Sequence, residues 1–242
     1  IQEKGIKNFA KQATPAVAAV ILPECVPYLL NHRLACLKTA AQLAEVKPSL
    51  YGFLKASQYH LLPQENWKLL NKDHLDKYSQ EPSIPPEAKD LVEQIDPLWV
   101  NDLDPRLAQF YTKNQIEKIY QPSPIKYLNA EQLVFLDVKL APYLELKQIP
   151  QLTDKHAPLI QQIKDLEAIG HLSNEGLKFL SKDQILSLND RNVLIRLPLD
   201  SLSHLKPEQV LLLDPEKSED QRLINQLSSR QLSALSQEQL VK

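Results

Sequence analysis

The sequence predicts an all-α fold of stacked short helices, an α-solenoid-like (armadillo-like) superhelical array. Leucine and glutamine, which both favour helix, occur 44 and 22 times in the 242 residues. Apolar residues recur with a period of eight, which indicates an internal repeat. No segment shows the sustained apolar–polar alternation of a β-strand.

The period of eight is most regular in residues 172–193, where apolar positions alternate at steps of five and three. Eight residues at 100° each overshoot two helical turns by about 80°, so one continuous helix would carry a wandering apolar stripe. We therefore expect each unit to start its own helix. The core positions that follow this rhythm are Leu62, Trp67, Leu70, Leu75, Tyr78, Leu128, Leu133, Leu136, Leu172, Leu177, Leu180, Ile185, Leu188, Val193, Leu202, Leu205, Val210, Leu213, Leu227, Leu232, Leu235 and Leu240.

A capping signature marks the predicted helix starts. A Ser, Thr or Asn is followed three residues later by Gln, a spacing at which each side chain satisfies a backbone N–H group of the other residue. His74 and His156 stand where other units carry this Gln, which favours a capping or surface role over metal binding. The predicted pairs are Thr112 and Gln115, Asn129 and Gln132, Ser181 and Gln184, Ser228 and Gln231, and Ser236 and Gln239.

Isolated helices this short are unstable in water, so the units must stack on their neighbours. An irregular helical domain, whose leucines match the period by chance, is the alternative. Residues 61–242 form the predicted repeat region, with a proline-rich break at 79–86.

Residues 1–60 look different and are predicted to form an N-terminal cap or the end of a preceding domain. Ala16–Leu22, Tyr28–Val46 and Leu50–Tyr59 have the pattern of ordinary amphipathic helices separated by prolines. The chain begins without methionine, and we expect a fragment of a larger polypeptide or a processed product.

Composition argues against several classes of function. Four glycines against 18 prolines leave little material for phosphate-binding loops, and a net charge of −2 gives no general attraction to nucleic acid. The longest uncharged apolar run has about seven residues, whereas a membrane helix needs about twenty. Two cysteines favour a reducing compartment. We therefore expect no cofactor, nucleic acid, membrane insertion or small-molecule substrate.

Catalytic patterns are weak. The sequence contains neither the glycine-flanked serine of hydrolases nor the paired histidines of zinc proteases. Cys25 and Cys36 are interpreted as buried thiols, with a catalytic cysteine as the alternative. Carboxylates such as Glu131, Glu175 and Asp183 recur in the first turn of the units, where their negative charge interacts favourably with the helix dipole. No catalytic or metal-binding residue is predicted.

One basic and aromatic stretch, residues 111–127, is the candidate binding site. Tyrosine is enriched at protein interfaces, whereas stacked tyrosines with lysines can also hold single-stranded nucleic acid. The fit of Ile116 and Ile119 to the core spacing favours a structural or protein-contact role. The predicted contact residues are Tyr111, Lys118, Tyr120, Lys126 and Tyr127.

The unit Leu-(Ser/Asn)-x-(Glu/Asp)-Gln-(Leu/Ile/Val)-x-x-Leu occurs at Leu128–Leu136 and Leu180–Leu188, and at Leu227–Leu235 with Arg230 in place of the acidic residue. It resembles repeats of the mesothelin, stereocilin and otoancorin superfamily. It is also similar to repeats in secreted effectors of intracellular bacteria. The resemblance covers residues 61–242 and implies a superhelical binding protein, released in the second case into a host cell. Few cysteines distinguish the chain from the extracellular members.

The predicted function is a non-enzymatic helical repeat module that binds another protein, as part of a larger effector or scaffold. Two alternatives remain at this point. The first is an enzyme role, either as a helical accessory domain of an enzyme or as a cryptic cysteine or acid–base enzyme. The second is a structural spacer.

Overall fold

The computed structural model describes residues 2–232, and within them every regular element is a helix. The prediction of an all-α chain is confirmed for this part of the sequence. The chain divides into two compact units, Ile1–Tyr127 and Leu128–Lys242.

The α-helices are short, and most have four or five residues. The first is the longest, with eleven residues. In chain order they are Gln2–Gln12, Pro15–Ala18, Ala40–Ala44, Lys72–Leu75, Lys89–Val92, Lys113–Ile116, Ala130–Leu133, Ala157–Ile160, Leu166–Gly170, Asn174–Leu177, Lys182–Ser187, Arg191–Leu194, Pro207–Val210, Ser218–Ile224 and Ser229–Leu232.

Short 3₁₀ helices lie between them. Many are six residues long and end at a leucine or tyrosine in extended conformation, which turns the chain into the next segment. They are Pro23–Tyr28, Asn31–Cys36, Pro48–Phe53, Ala56–Leu61, Gln64–Leu69, Asp76–Gln80, Pro86–Ala88, Pro97–Trp99, Pro105–Phe110, Ile125–Tyr127, Val138–Tyr143, Ile149–Gln151, Asp154–His156 and Leu199–His204.

Helix starts are often eight residues apart. Helices begin at residues 40, 48, 56, 64 and 72, and again at 89, 97, 105 and 113. In the second unit they begin at 166, 174 and 182, and then at 191, 199 and 207. Between runs, the last helix start of one run and the first of the next are separated by more than a multiple of eight residues, as are 182 and 191. The eight-residue spacing therefore holds within each run and not across the whole chain.

The apolar positions of the five-and-three rhythm form the core. Leu172, Leu177, Leu180, Ile185 and Val193 are all buried, as are the corresponding residues around Leu133 and Val210. Trp67 and Leu232 are half-buried. Leu235 and Leu240 lie outside the described residues.

The prediction of ordinary amphipathic helices in the first sixty residues is wrong. Residues 28–46, predicted as one helix, contain the separate helices Asn31–Cys36 and Ala40–Ala44. Leu30 and Leu37 are extended, and Thr39 starts a new helix with its own capping box. Prolines at helix starts divide the rest in the same way. That this region caps the array stays a prediction.

The proline-rich stretch at 79–86 lies inside the first unit, and its residues 81–85 carry no helix. The Arg106 guanidinium holds the segment in place by donating to the carbonyls of Tyr78, at 2.7 Å, and Pro82, at 3.2 Å. Pairing with a neighbouring carboxylate orients this guanidinium, because Asp104 accepts from its Nε at 3.0 Å.

The capping prediction is confirmed at Asn129, Ser181 and Ser228, whereas at Thr112 only one of the two contacts forms. In the clearest case, the Ser181 N–H donates to Gln184 Oε1 at 2.8 Å and the Gln184 N–H donates to Ser181 Oγ at 3.2 Å. Asn129 and Gln132 form the same reciprocal pair, and Gln115 accepts from the Thr112 N–H. Ser228 and Gln231 also form a reciprocal pair. Ser236 and Gln239 lie outside the described residues.

The capping glutamines have a second role that the sequence did not suggest. While Gln184 Oε1 accepts from its own helix start, Gln184 Nε2 donates to the carbonyls of Ile160 and Ile163, each at 2.7 Å. These carbonyls lie at the end of a helix 21 to 24 residues earlier in the chain. One buried amide thus joins the start of one helix to the end of an earlier one, and we call this arrangement the glutamine clamp.

The glutamine clamp recurs in both units. In each case Nε2 reaches a carbonyl about three eight-residue segments back, at a separation of 20 to 29 residues. Lys55, Glu145 and Lys206 stand at the capping position of three clamps, so the clamp does not need a Ser, Thr or Asn there. The buried clamp residues are Gln42, Gln58, Gln115, Gln148, Gln184, Gln209 and Gln231.

Cationic side chains bridge similar distances at other places. Lys77 Nζ donates to the carbonyls of Gly52 and Leu54, and Arg196 donates to those of Gly170 and Leu172. Helices of one turn leave nearly all their terminal N–H and C=O groups unpaired. At the part-buried carbonyls of Leu54, Gly170 and Leu172, these contacts therefore satisfy groups that would otherwise lack partners.

Replacing Gln184 by alanine should lower the free energy of unfolding by about 1 to 3 kcal/mol, because its buried hydrogen-bond partners lose their contacts. Gln162→Ala, at an exposed glutamine, should change it by less than about 0.5 kcal/mol. Urea denaturation measures both. Equal losses for the two variants would contradict the clamp.

Candidate functional site

Both tryptophans of the chain line one cleft in the first unit. Trp67 and Trp99 lie around a space of about 290 Å³. Its polar side chains are those of Lys68, Gln94 and Asp96. The apolar floor is formed by Leu70, Leu75, Leu91 and Ile95. We call this site the tryptophan cleft.

The two tryptophans are positioned by different means. Trp67 lies in the 3₁₀ helix Gln64–Leu69, and its indole N–H donates to the Leu62 carbonyl at 3.1 Å. Trp99 ends the short helix Pro97–Trp99, whose start is fixed by an Asp96 oxygen that accepts from the Leu98 N–H at 2.9 Å. Both rings are half-buried, so part of each faces solvent.

Exposed leucines follow or precede these tryptophans in sequence. Leu98 is 72% exposed, and Leu69 is also exposed. Tryptophan and apolar side chains that remain open to water are typical of binding surfaces, although single exposed leucines are common. The concentration of both tryptophans in one cleft is the stronger observation.

The leucine spacing assigns Trp67 to the core and predicts no role for Trp99. The available signal was rarity, because the chain has only two tryptophans and this residue type is enriched at interfaces. Their positions, 32 residues apart, did not indicate that they share a cleft. That requires knowing which segments pack together.

The five residues predicted to form a contact patch do not all lie on the surface. Tyr111 is only 3% exposed, and its hydroxyl donates to the Val100 carbonyl at 3.1 Å. It therefore belongs to the core and not to an exposed patch. Burial also raises the pKa of Tyr111, with the Asp104 charge as the smaller cause.

The other four residues are accessible. Tyr120 is 69% exposed, Lys118 and Lys126 are exposed, and Tyr127 is half-buried. Lys126 Nζ lies 5.1 Å from the centroid of the Tyr127 ring, within the range of a cation–π contact. A protein-contact role for these four residues stays a prediction.

Asn101, in the same unit, holds the loop that carries Lys118 and Tyr120. Asn101 Nδ2 donates to the Lys118 carbonyl at 2.7 Å, and its Oδ1 accepts from the Tyr120 N–H at 2.9 Å. These bonds fix the backbone while the Tyr120 ring remains in solvent.

The thiols are free, with Cys25 buried and Cys36 half-buried. Burial raises the pKa of the Cys25 thiol, and the nearby Glu24 charge raises it further. A raised pKa disfavours the thiolate that nucleophilic catalysis requires. The structure therefore gives Cys25 no features of an activated nucleophile.

His156 lines a second cleft, in the second unit, together with Glu131, Asp154 and Lys155. A histidine beside carboxylates could act as a general base, but both ring nitrogens of His156 already contact backbone groups. Nδ1 lies 3.0 Å from the Thr153 N and Nε2 lies 2.7 Å from the Ala130 carbonyl oxygen. The ring therefore makes the capping contact that its place in the sequence pattern predicts.

Within residues 2–232, no group of three or more His, Cys, Asp or Glu side chains is arranged to hold a metal ion. Over the same residues, no helix is long and apolar enough to cross a membrane.

No protein-family model matches the chain, and no curated protein sequence matches it. The resemblance to the mesothelin superfamily and to bacterial effectors thus rests on the residues quoted above and stays a prediction.

Buried tyrosines offer a direct test of the first unit's packing. Tyr111→Phe should lower the free energy of unfolding by about 1 kcal/mol, because the Val100 carbonyl loses a donor. Tyr78→Phe should leave it unchanged or raise it, since no described residue pairs with the buried Tyr78 hydroxyl. Thermal unfolding distinguishes them, and a loss at Tyr78 as large as at Tyr111 would contradict this packing.

The Asp104–Arg106 pair should make stability depend on pH. Burial opposes ionisation of Asp104, but hydrogen bonds and charge from Arg106 outweigh it and hold the Asp104 pKa below its usual value. The unfolded chain therefore takes up the proton first. The pair's contribution to the free energy of unfolding is present above a pH of about 4 and is lost as the pH falls through the folded-state pKa of Asp104.

Asp104→Asn should lower the free energy of unfolding by about 1 to 3 kcal/mol at neutral pH, and the difference from wild type should shrink at about pH 2. Asp102→Asn removes only an exposed ion pair with Lys72 and should cost less than about 1 kcal/mol. Denaturation at several pH values measures both. If Asp104→Asn and wild type differ in the free energy of unfolding by the same amount at every pH, the lowered pKa of Asp104 is refuted.

Proposed function

We propose that the chain is a non-enzymatic helical repeat module that binds another protein through the tryptophan cleft. The observation that carries this proposal is the placement of Trp67 and Trp99 in a single partly open cleft. Tryptophan is the residue type most enriched among those that dominate binding energy at interfaces. Lys68, Gln94 and Asp96 supply a polar rim around this aromatic centre.

An α-solenoid-like array of stacked segments is part of the proposal. It is supported by the separations of the clamp contacts, which join segments 20 to 24 residues apart in the first unit and 20 to 29 residues apart in the second. Such separations correspond to about three eight-residue segments per turn of a stack. A quasi-one-dimensional stack of this kind offers an extended side for a partner.

The clamp leaves the exposed side chains free for binding. Its hydrogen bonds join buried glutamines to backbone carbonyls and need no particular side chains on the outside. The chain would then act as one module of a larger scaffold or effector, as the resemblance noted from the sequence implies.

The test is quantitative affinity capture from cell lysate followed by tryptophan fluorescence with the purified captured protein. Trp99→Ala should reduce capture at least about tenfold, since loss of a tryptophan at an interface centre has effects of this size. The control Tyr143→Ala removes a side chain that is 53% exposed in the other unit and should capture normally. Circular dichroism and thermal unfolding establish that each variant is folded.

Fluorescence reads the site directly, because the chain's only two tryptophans both line the cleft. Adding the partner should shift the tryptophan emission of the chain. The measurement uses a partner fragment without tryptophan, so that all emission comes from the cleft. Equal capture by Trp99→Ala and wild type, or binding that leaves the emission unchanged, would contradict the cleft. No capture by the folded wild-type chain would favour a structural spacer.

A further inference from the structure

His156 occupies the clamp position that glutamine holds elsewhere. It is the third residue of its helix, 3% exposed, with Thr153 at the capping position. The Thr153 N–H donates to Nδ1 at 3.0 Å, and Nε2 lies 2.7 Å from the carbonyl oxygen of Ala130, 26 residues earlier. These contacts match those that Gln184 makes through Oε1 and Nε2.

The two backbone partners fix the state of the imidazole. A backbone N–H can only donate and a carbonyl can only accept, so Nδ1 is the acceptor and Nε2 carries the proton. His156 is therefore neutral in this arrangement. The Thr153 hydroxyl, with Oγ1 3.3 Å from Nδ1, can act as donor or acceptor and does not restrict the choice.

Protonation has a consequence at His156 that it cannot have at a glutamine. A proton on Nδ1 would point an N–H group at the N–H of Thr153, and that hydrogen bond would be lost. The Nε2–H bond to Ala130 could persist, and the Thr153 hydroxyl could accept from Nδ1. The Thr153 N–H is the group left without its partner.

We propose that His156 is a proton-responsive clamp, which holds the start of its helix when neutral and releases the Thr153 N–H when protonated. The same ring lines the cleft that contains Val134 and Phe135, so release would alter the wall of that cleft. This inference concerns regulation of the second unit and does not depend on the tryptophan cleft.

Charged groups of both signs lie around the ring. Asp154 and Lys155 belong to the helix of His156, and Glu131 belongs to Ala130–Leu133, the helix that supplies the carbonyl acceptor. Two carboxylates and one ammonium therefore line the cleft together with His156. The adjoining helix Ala157–Ile160 contributes no charged side chain.

The experiment is ¹⁵N NMR of the imidazole nitrogens and of backbone amides in the full chain, from about pH 7.5 to about pH 5, the range in which histidines titrate. At the upper pH the spectrum should show the Nε2–H form of His156. Protonation should then speed hydrogen exchange of the Thr153 amide about tenfold, beyond its intrinsic pH dependence, a size typical for one lost hydrogen bond.

Two controls isolate the effect. The Ser181 amide, which donates to Gln184 Oε1, should show no such change in the same sample. His156→Gln restores the usual clamp residue, and its Thr153 amide should be insensitive to pH. An Nδ1–H form at the upper pH, an equal response in His156→Gln, or an unchanged Thr153 amide on acidification would each overturn the proposal.

Discussion

The structure depends on one interaction, in which a buried glutamine side chain bonds two backbone groups at once. One group is at the start of its own helix, and the other is at the end of a helix much earlier in the chain. A helix of four residues has almost no internal hydrogen bonds, so both of its ends need partners. Gln184 supplies an acceptor to the start of its own helix and a donor to the end of the helix at Ala157–Ile160. A charged side chain in this place would be costly to bury, whereas an amide provides both roles without charge.

Different anchors appear where the eight-residue spacing breaks. At residues 81–85 the Arg106 guanidinium, paired with Asp104, reaches the backbone in place of a glutamine. Near the end of the described residues the fully buried Asp220 accepts from Arg191 Nε at 2.8 Å and from the Asp214 N–H at 2.6 Å. Because a paired guanidinium has several donors and a longer reach, it can span irregular segments that an amide cannot.

The sequence was sufficient for the local structure and insufficient for the contacts between segments. Leucine spacing and the Ser-x-x-Gln signature at Ser181 correctly predicted short capped helices, since both depend on neighbouring residues. The same spacing runs through residues 1–60, where prolines obscured it and longer helices were wrongly predicted. The carbonyl partners of Gln184, the cleft shared by Trp67 and Trp99, and the burial of Tyr111 all depend on which segments stack, and no local pattern contains that information.

Hydrogen exchange of the glutamine side-chain amides, measured by NMR, tests the central claim most directly. Clamp residues such as Gln58, Gln115, Gln184 and Gln209 donate from Nε2 to pairs of buried backbone carbonyls. Their side-chain N–H groups should exchange far more slowly than those of the exposed Gln162, and should lose this protection only when their unit unfolds. Side-chain amides of clamp residues that exchange as fast as that of Gln162 in the folded protein would contradict the account.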